Sequence, residues 1–260
     1  WRNRRGLLFK TATGWVVRTD EGRHIAVAHG PGLTEREDLH AFLASVSGPE
    51  VAAPTQLLAP IEAQEVWAAG VTYLRSKKAR MDESEFSASA YDRVYDAERP
   101  EIFFKSLPEK VVATGGDVGI RRDAKWNVPE PELTLVFNSR GQLVGFTVGN
   151  DMSSRDIEGE NLLYLPQAKT YLKSCAVGPF ITVGVSEADV RSWNIGININ
   201  RGGQAVFSGE TSVGQIKRTF PSLAEFLFRS QSFPHGAILL TGTGVVPPGV
   251  TLPPGMKLPF

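Results

Sequence analysis

Two glutamates separated by one residue, in the stretch WNVPEPELTLVF, have the type and spacing to do chemistry. Glu130 and Glu132 stand where an apolar strand is predicted to begin, and residues i and i+2 of a strand point to the same face of a sheet. Two carboxylates on one face repel each other unless a cation lies between them. The pair therefore indicates either a cation site or a solvated strand entrance.

A third carboxylate, Asp151, follows the apolar run LVGFTV. This run is predicted to form the second strand of a hairpin whose first strand is ELTLVF. Because the turn NSRG returns this run alongside ELTLVF, we expect Asp151 to end beside the glutamate pair. Three carboxylates with open coordination positions are typical of an octahedral oxygen site for Mg²⁺ or Mn²⁺, not of a zinc site. The alternative role for Asp151 is an N-cap of the following turn.

A lysine and a threonine are candidates for holding the carboxylate of a ligand. Lys169 lies among apolar residues in YLPQAKTYLKSC, and Thr243 lies in the glycine-bracketed turn LLTGTG. Taken singly, each is more often structural. The sequence contains no phosphate loop, no G-x-G-x-x-G turn and no G-x-S-x-G elbow, and its four histidines lack zinc spacing.

The elements that must position these side chains are predicted to be mostly short strands. Glycine (26) and proline (17) are spread through the chain and break the apolar runs into strands joined by turns. The β-helix-β alternation of a doubly wound sheet is missing, so we expect a mainly β, mixed α+β fold with few helices.

The first part of the chain is predicted to be a separate small unit. A strand meander is followed by a helix with an apolar face and a capping box formed by Thr34 and Glu37, and then by a proline-containing linker. This pattern predicts a small N-terminal α/β domain over residues 1–60 and a larger domain over residues 61–260. A second capping box, Ser222 with Glu225, predicts a short helix in the larger domain.

Composition argues against several classes of partner. Lys plus Arg and Asp plus Glu are both 28, so the formal net charge is zero, and neither nucleic acid nor an anionic membrane is expected as a partner. No apolar run approaches the roughly 18 residues of a membrane span. Cys175 is the single cysteine and cannot form an intramolecular disulfide, which favours a reducing cytoplasm.

In their order along the chain, these motifs resemble the fumarylacetoacetate hydrolase family. The matching run begins with GVTY and FFKS, continues with E-x-E, GNDMSSRD and AK before GP, and ends with TGT near the C-terminus. The resemblance covers roughly residues 65–248. It implies a fold of stacked, mixed β-sheets with few helices, assembled as a homodimer or higher homo-oligomer.

The resemblance also implies a metal and a substrate class. Mg²⁺, with Mn²⁺ as the alternative, would be bound by the residues matching Glu130, Glu132 and Asp151. The substrate would be a small 2-oxo acid that chelates the metal. Lys169 would hydrogen-bond the ligand or a metal carboxylate, and Thr243 would contact the substrate carboxylate.

One departure from the family indicates the reaction. Hydrolases and decarboxylases of the family carry a histidine near the position of Ser76, and here the run GVTYLRSKKAR has none. The chain most resembles the family's sugar-acid branch, typified by 2-keto-3-deoxy-D-arabinonate dehydratase. We therefore expect an Mg²⁺-dependent lyase that dehydrates a 2-keto-3-deoxy pentonate to 2,5-dioxopentanoate through a metal-stabilised enolate. The alternatives are a hydrolase or decarboxylase acting on an acylpyruvate or oxaloacetate-like substrate, and a metal-stabilised binding or scaffold protein.

Such a dehydration needs a base and anchors for the substrate. Glu101, where the strand EIFFKS begins, is the preferred base, and Glu83 is the alternative. The candidates for contacts with the substrate's carboxylate or hydroxyls are Arg75, Ser76 and Arg80. Their alternative role is a basic, solvated helix face, and the direction of Lys105 stays open.

Overall fold

The structure is a computed structural model that describes residues 5–74, 85–248 and 251–252. The strands are β1 (Gly6–Thr11), β2 (Gly14–Arg18), β3 (His24–Val27), β4 (Glu65–Gly70), β5 (Glu101–Ser106), β6 (Asn127–Val128), β7 (Pro131–Phe137), β8 (Leu143–Asp151), β9 (Ser153–Ser154), β10 (Cys175–Val183), β11 (Asn194–Arg201), β12 (Gln204–Ser212) and β13 (Ala237–Leu240). The α-helices are α1 (Leu39–Ser45), α2 (Glu85–Asp96), α3 (Arg155–Glu160), α4 (Leu165–Lys169), α5 (Glu187–Arg191) and α6 (Phe220–Phe228). Within the described residues, no helix has both the length and the apolar character needed to cross a membrane.

A nine-stranded mixed sheet dominates the fold. Its strand order is β3-β2-β1-β10-β8-β7-β13-β4-β5. β13 runs parallel to β4, whereas the other neighbours are antiparallel. β11 and β12 form a separate two-stranded ribbon. The predicted mainly β, mixed fold with few helices is confirmed.

The N-terminal strands continue this sheet. β1 pairs with β10, with Gly6 opposite Val183, and α1 contributes Leu39 and Leu43 to the core on one side of the sheet. Residues 1–60 and 61–260 are therefore joined through strand pairing, and the division at residue 60 stays a prediction about folding units.

Both predicted capping boxes are wrong in detail. Thr34 is fully buried and accepts a hydrogen bond from Gln64 Nε2 at 2.8 Å, so its hydroxyl serves tertiary packing, and α1 begins later, at Leu39. The helix predicted near Ser222 is confirmed as α6. Its cap is Thr219, whose side chain accepts from the Ser222 amide.

The two faces of the large sheet bury separate apolar clusters. One face carries Val136, Cys175 and Leu240 in its core, and the opposite face packs β7 and β13 against α6. Because side chains alternate along a strand, Glu132 shares the first face with Val136. Asp151 lies directly opposite Cys175 in the register of β8 and β10, so its carboxylate is also on this face.

Candidate metal centre

The hairpin of β7 and β8 brings the three predicted carboxylates together. Glu132 pairs with Gly149 in the register, and the Asp151 amide donates to the Glu130 carbonyl at 2.9 Å. One carboxylate oxygen from each of Glu130, Glu132 and Asp151 lies within 4.8 Å of the others. All three residues are buried, with at most 2% of their surface exposed.

Three buried cations surround two of these carboxylates. Lys169 Nζ lies 2.6 Å from Glu130 Oε2 and 3.0 Å from Asp151 Oδ2. Arg155 Nη2 lies 2.7 Å from Glu130 Oε1, and Lys105 Nζ lies 2.6 Å from Asp151 Oδ1. Glu130 and Asp151 are thus paired with buried cations, as carboxylates this far from water require.

Glu132 is held by the main chain. Its Oε2 accepts a hydrogen bond from the Gly242 amide at 2.6 Å. Burial raises the pKa of Glu132 well above its ordinary value, and the neighbouring charges of Asp151 and Glu130 raise this pKa further. A cation placed between the three carboxylates would reverse this effect, since opposite charge favours the ionised form.

The residues present fit a hard divalent cation. The donor set consists of carboxylate oxygens, which suit Mg²⁺ and Mn²⁺. Asp151 Oδ1 is buried and accepts no hydrogen bond of good geometry from the described residues, although Lys105 lies close to it. Three carboxylates leave coordination positions for water or a ligand, and Glu130, Glu132 and Asp151 would hold the ion.

Glu101 lies at the start of β5 and on the same sheet face. It shares this face with Phe103, which packs against the cluster of Val136 and Leu240, and Phe103 lies under Lys169 with 6.0 Å between Nζ and the ring centre. The Glu101 carboxylate lies over Gly70, because a Cβ atom added at Gly70 would be 1.9 Å from Glu101 Oε2. The role of Glu101 as a base stays a prediction.

The other predicted site residues fall into two groups. Thr243 is buried, and its hydroxyl donates to the Val245 carbonyl at 3.0 Å, so a contact with a substrate carboxylate stays a prediction. The remaining candidates lie outside the described residues: Arg75, Ser76, Arg80 and Glu83.

Sequence reasoning missed Arg155 and did not place Lys105. Both are fully buried against the carboxylates. Lys105 carried a signal, because it stands two residues after Phe103 in the apolar strand EIFFKS and therefore shares its face. Arg155 follows Asp151 by four residues in NDMSSRD. An arginine after a strand is usually exposed, and nothing in the neighbouring sequence indicated that this one is buried.

The three carboxylates are buried, and a cavity of about 440 Å³ lies elsewhere. That cavity is bordered by Phe146, Trp193 and Ile195, which belong to the opposite face of the sheet. The chemistry of the buried charges, not the size of a cavity, marks the candidate site.

Comparisons with known proteins agree on one family. Residues 65–258 match the family described as fumarylacetoacetate (FAA) hydrolase C-terminal. A probable 2-keto-3-deoxyxylonate dehydratase of Haloferax volcanii is 45% identical over 188 residues, 72% of this chain. The 2-dehydro-3-deoxy-D-arabinonate dehydratase of Saccharolobus solfataricus is 39% identical over 191 residues, also 72% of this chain.

Solved structures extend the likeness to the fold. A structure of 2-keto-3-deoxy-D-arabinonate dehydratase complexed with magnesium and 2,5-dioxopentanoate has a TM-score of 0.77 and 30% sequence identity. The match covers 94% of this chain and 89% of that chain. The matches to the two curated relatives span 64% of each relative's length.

Proposed function

From the membership of this chain in the fumarylacetoacetate hydrolase family, we propose that it is a metal-dependent hydro-lyase acting on a 2-keto-3-deoxy pentonate. The product would be 2,5-dioxopentanoate. The observation that carries the proposal is the buried cluster of Glu130, Glu132 and Asp151 with its surrounding cations. The names of the two curated dehydratases and of the magnesium-containing structure support the same reaction class.

The cluster would hold the cation and orient the substrate. Mg²⁺, with Mn²⁺ as the alternative, would supply a Lewis acid that polarises the 2-keto group. Lys169 is the residue best placed to orient a ligand there, because its ammonium reaches both Glu130 and Asp151.

Glu101 would remove the proton from the third carbon of the substrate. Glu101 lies on the same strand face as Phe103 and Lys105, so its carboxylate is on the side of the sheet that carries the carboxylate cluster. The C3–H electrons pass into the 2-keto group as an enolate and return to form the C3=C4 bond as the C4–O bond breaks. The leaving hydroxyl takes the proton held by Glu101 and departs as water. Migration of the double bond to C4=C5 and tautomerisation then give the aldehyde. Glu83 is the alternative base.

The remaining roles follow the chemistry of the side chains. Arg75 and Arg80 would bind the substrate carboxylate or hydroxyls, because an arginine offers paired donors. Ser76 would contact a hydroxyl, and Thr243 the substrate carboxylate.

The proposal includes a cytoplasmic homodimer or larger homo-oligomer. Leu163 and Leu172 are 83% and 72% exposed and lie in the chain on either side of α4. Two exposed leucines so close to the helix that carries Lys169 favour coverage by a second copy. The molar mass from light scattering during gel filtration tests this assembly, and a monomer at every concentration would contradict it.

A turnover assay on D and L isomers of 2-keto-3-deoxy pentonates tests the function. The release of 2,5-dioxopentanoate is measured through its oxidation by a coupled aldehyde dehydrogenase. We expect turnover that depends on Mg²⁺ and is lost with EDTA or in Glu130→Gln. Pyruvate release from an acylpyruvate or oxaloacetate, with no turnover of either pentonate isomer, would refute the proposal and favour the hydrolase or decarboxylase.

A further inference from the structure

Two turns leave the same end of the large sheet and pack against each other. One turn, residues 71–73, follows β4, and the other, residues 241–244, follows β13. β4 and β13 are parallel neighbours with Ala68 opposite Leu240, so the two segments that follow these strands leave the sheet side by side. All of residues 71–73 and 241–244 are buried, and the packing of these turns is part of the protein interior.

A threonine hydroxyl and a glycine make the contact. Thr72 Oγ1 donates to the Thr241 carbonyl at 2.6 Å. Gly242 has φ +91°, and a Cβ atom at this residue would lie 2.2 Å from Thr72 Oγ1. Only glycine both adopts this backbone conformation readily and leaves room for the hydroxyl.

The same peptide group also holds a metal ligand. The Thr241 carbonyl, which accepts from Thr72, and the Gly242 amide, which donates to Glu132 Oε2 at 2.6 Å, belong to one peptide unit. A hydrogen bond to the carbonyl polarises the peptide and strengthens the bond that its amide donates. The Thr72 hydroxyl therefore acts on Glu132 through a single rigid plane.

Thr72 is itself fixed from both sides. Its carbonyl accepts from the Lys217 amide at 3.0 Å. The preceding residue, Val71, has φ +52°, which is uncommon for a β-branched side chain and persists only where surrounding contacts impose it. The turn after β4 is thus held in the conformation that aims the hydroxyl at the Thr241 carbonyl.

We propose that Thr72 is a positioning residue for Glu132, which acts through the Thr241–Gly242 peptide and thereby sets the affinity for the divalent cation. The inference rests on the proposed function, because it takes Glu132 as a metal ligand. Residues that orient metal ligands from outside the coordination shell commonly change metal affinity about 10- to 100-fold when they are replaced.

The test compares two substitutions at Thr72 with one matched control. Thr72→Val keeps the shape and removes the hydroxyl, whereas Thr72→Ser keeps the hydroxyl. The control is Thr147→Val, since Thr147 is also buried and donates to a backbone carbonyl, that of Gly178, at 3.2 Å. Mn²⁺ affinity is measured without substrate, from the electron paramagnetic resonance signal of free Mn²⁺. Thermal unfolding in EDTA reports the stability of each metal-free variant.

We expect Thr72→Val to weaken Mn²⁺ binding about tenfold, with Thr72→Ser close to the unsubstituted protein. Thr147→Val should lose stability with unchanged Mn²⁺ affinity. Unchanged affinity in Thr72→Val, or equal weakening in Thr147→Val, would overturn the inference. If Thr72→Val does not fold, Thr72→Ala decides by the same criterion. Failure of the unsubstituted protein to bind Mn²⁺ would instead overturn the metal site of the proposed function.

Discussion

Replacing Lys105 by methionine removes a buried charge at the centre of the candidate site. Lys105 Nζ lies 2.6 Å from Asp151 Oδ1, with 0% and 3% of the two side chains exposed. The ammonium also donates to the Met152 carbonyl at 3.0 Å and to the Lys169 carbonyl. Methionine fills a similar volume but provides no donor, so the substitution takes away the charge and little of the packing.

The expected loss of stability follows from the burial of the pair. Breaking a buried ion pair by removing one partner costs about 3–5 kcal/mol, because the other charge stays desolvated. Lys169 still contacts Asp151 Oδ2 at 3.0 Å, which keeps the loss within this range. The free energy of unfolding of a domain is about 5–15 kcal/mol. The variant should therefore stay folded but lose a large part of its stability. The melting temperature should fall by roughly 6–20 °C, at about 2–4 °C per kcal/mol.

Urea unfolding in EDTA, followed by the fluorescence of the five tryptophans, measures this loss. The matched control is Lys10→Met, because Lys10 is only partly buried: it donates to the Ile61 carbonyl, and the carboxylate near it, Glu62, is only half-buried. The control should lose about 1 kcal/mol. A loss in Lys105→Met below about 1 kcal/mol, or equal to that of the control, would refute the view that Lys105 compensates Asp151.

Further predictions concern the base, the metal and the thiol. Glu101→Gln should lower kcat about 10²- to 10⁴-fold with unchanged Mn²⁺ affinity in a calorimetric titration. Gly70→Ala should lower kcat with the fold intact, since the new Cβ would lie 1.9 Å from Glu101 Oε2 and displace the carboxylate. Glu130→Gln should abolish the rise in melting temperature that Mg²⁺ gives the unsubstituted protein. Cys175 is fully buried, and burial raises the pKa of its thiol from 9.0 to about 12, so a thiol reagent at pH 8 should label it only in denaturant. The unfolded thiol ionises first as pH rises from about 9 toward 12, so this group should lower stability across that window.

A control or a contradicting outcome applies to the substitutions of Glu101 and Gly70 and to the labelling of Cys175. Glu109 is exposed, and Glu109→Gln is the control for loss of a carboxylate away from the site. Full activity in Glu101→Gln would transfer the role of base to Glu83. Unchanged kcat in Gly70→Ala would show that the Glu101 carboxylate is not needed where it lies. Rapid labelling of Cys175 in the native protein at pH 8 would contradict its burial.

The sequence by itself predicted the local geometry of the site. Glu130 and Glu132 converge because the side-chain period of a strand is two. Asp151 joins them because the turn NSRG returns β8 alongside β7. Both inferences depend on neighbouring stretches of chain, and period and turn chemistry are properties that a single sequence carries. The mainly β, mixed fold follows from the same short-range signals.

Contacts between distant parts of the chain were decided by the tertiary structure. Lys105 on β5 reaches Asp151 on β8, and Arg155 reaches Glu130, although the types of these residues also suit an exposed surface. Thr34 was predicted to cap a helix, yet its hydroxyl is used by Gln64, thirty residues away. A capping pattern is local, and tertiary burial of the same side chain overrides it.

The chain thus specifies which side chains share a strand face, because that depends on a repeat of two residues. It does not specify, in any short window, which cations compensate the buried carboxylates or which peptide holds Glu132. Those depend on how β13, β4 and β5 are laid beside β7, which places Gly242 and Thr72 next to the carboxylate cluster. Electrostatic compensation acts through space, and the folded arrangement of the strands determines which charges are near enough to provide it.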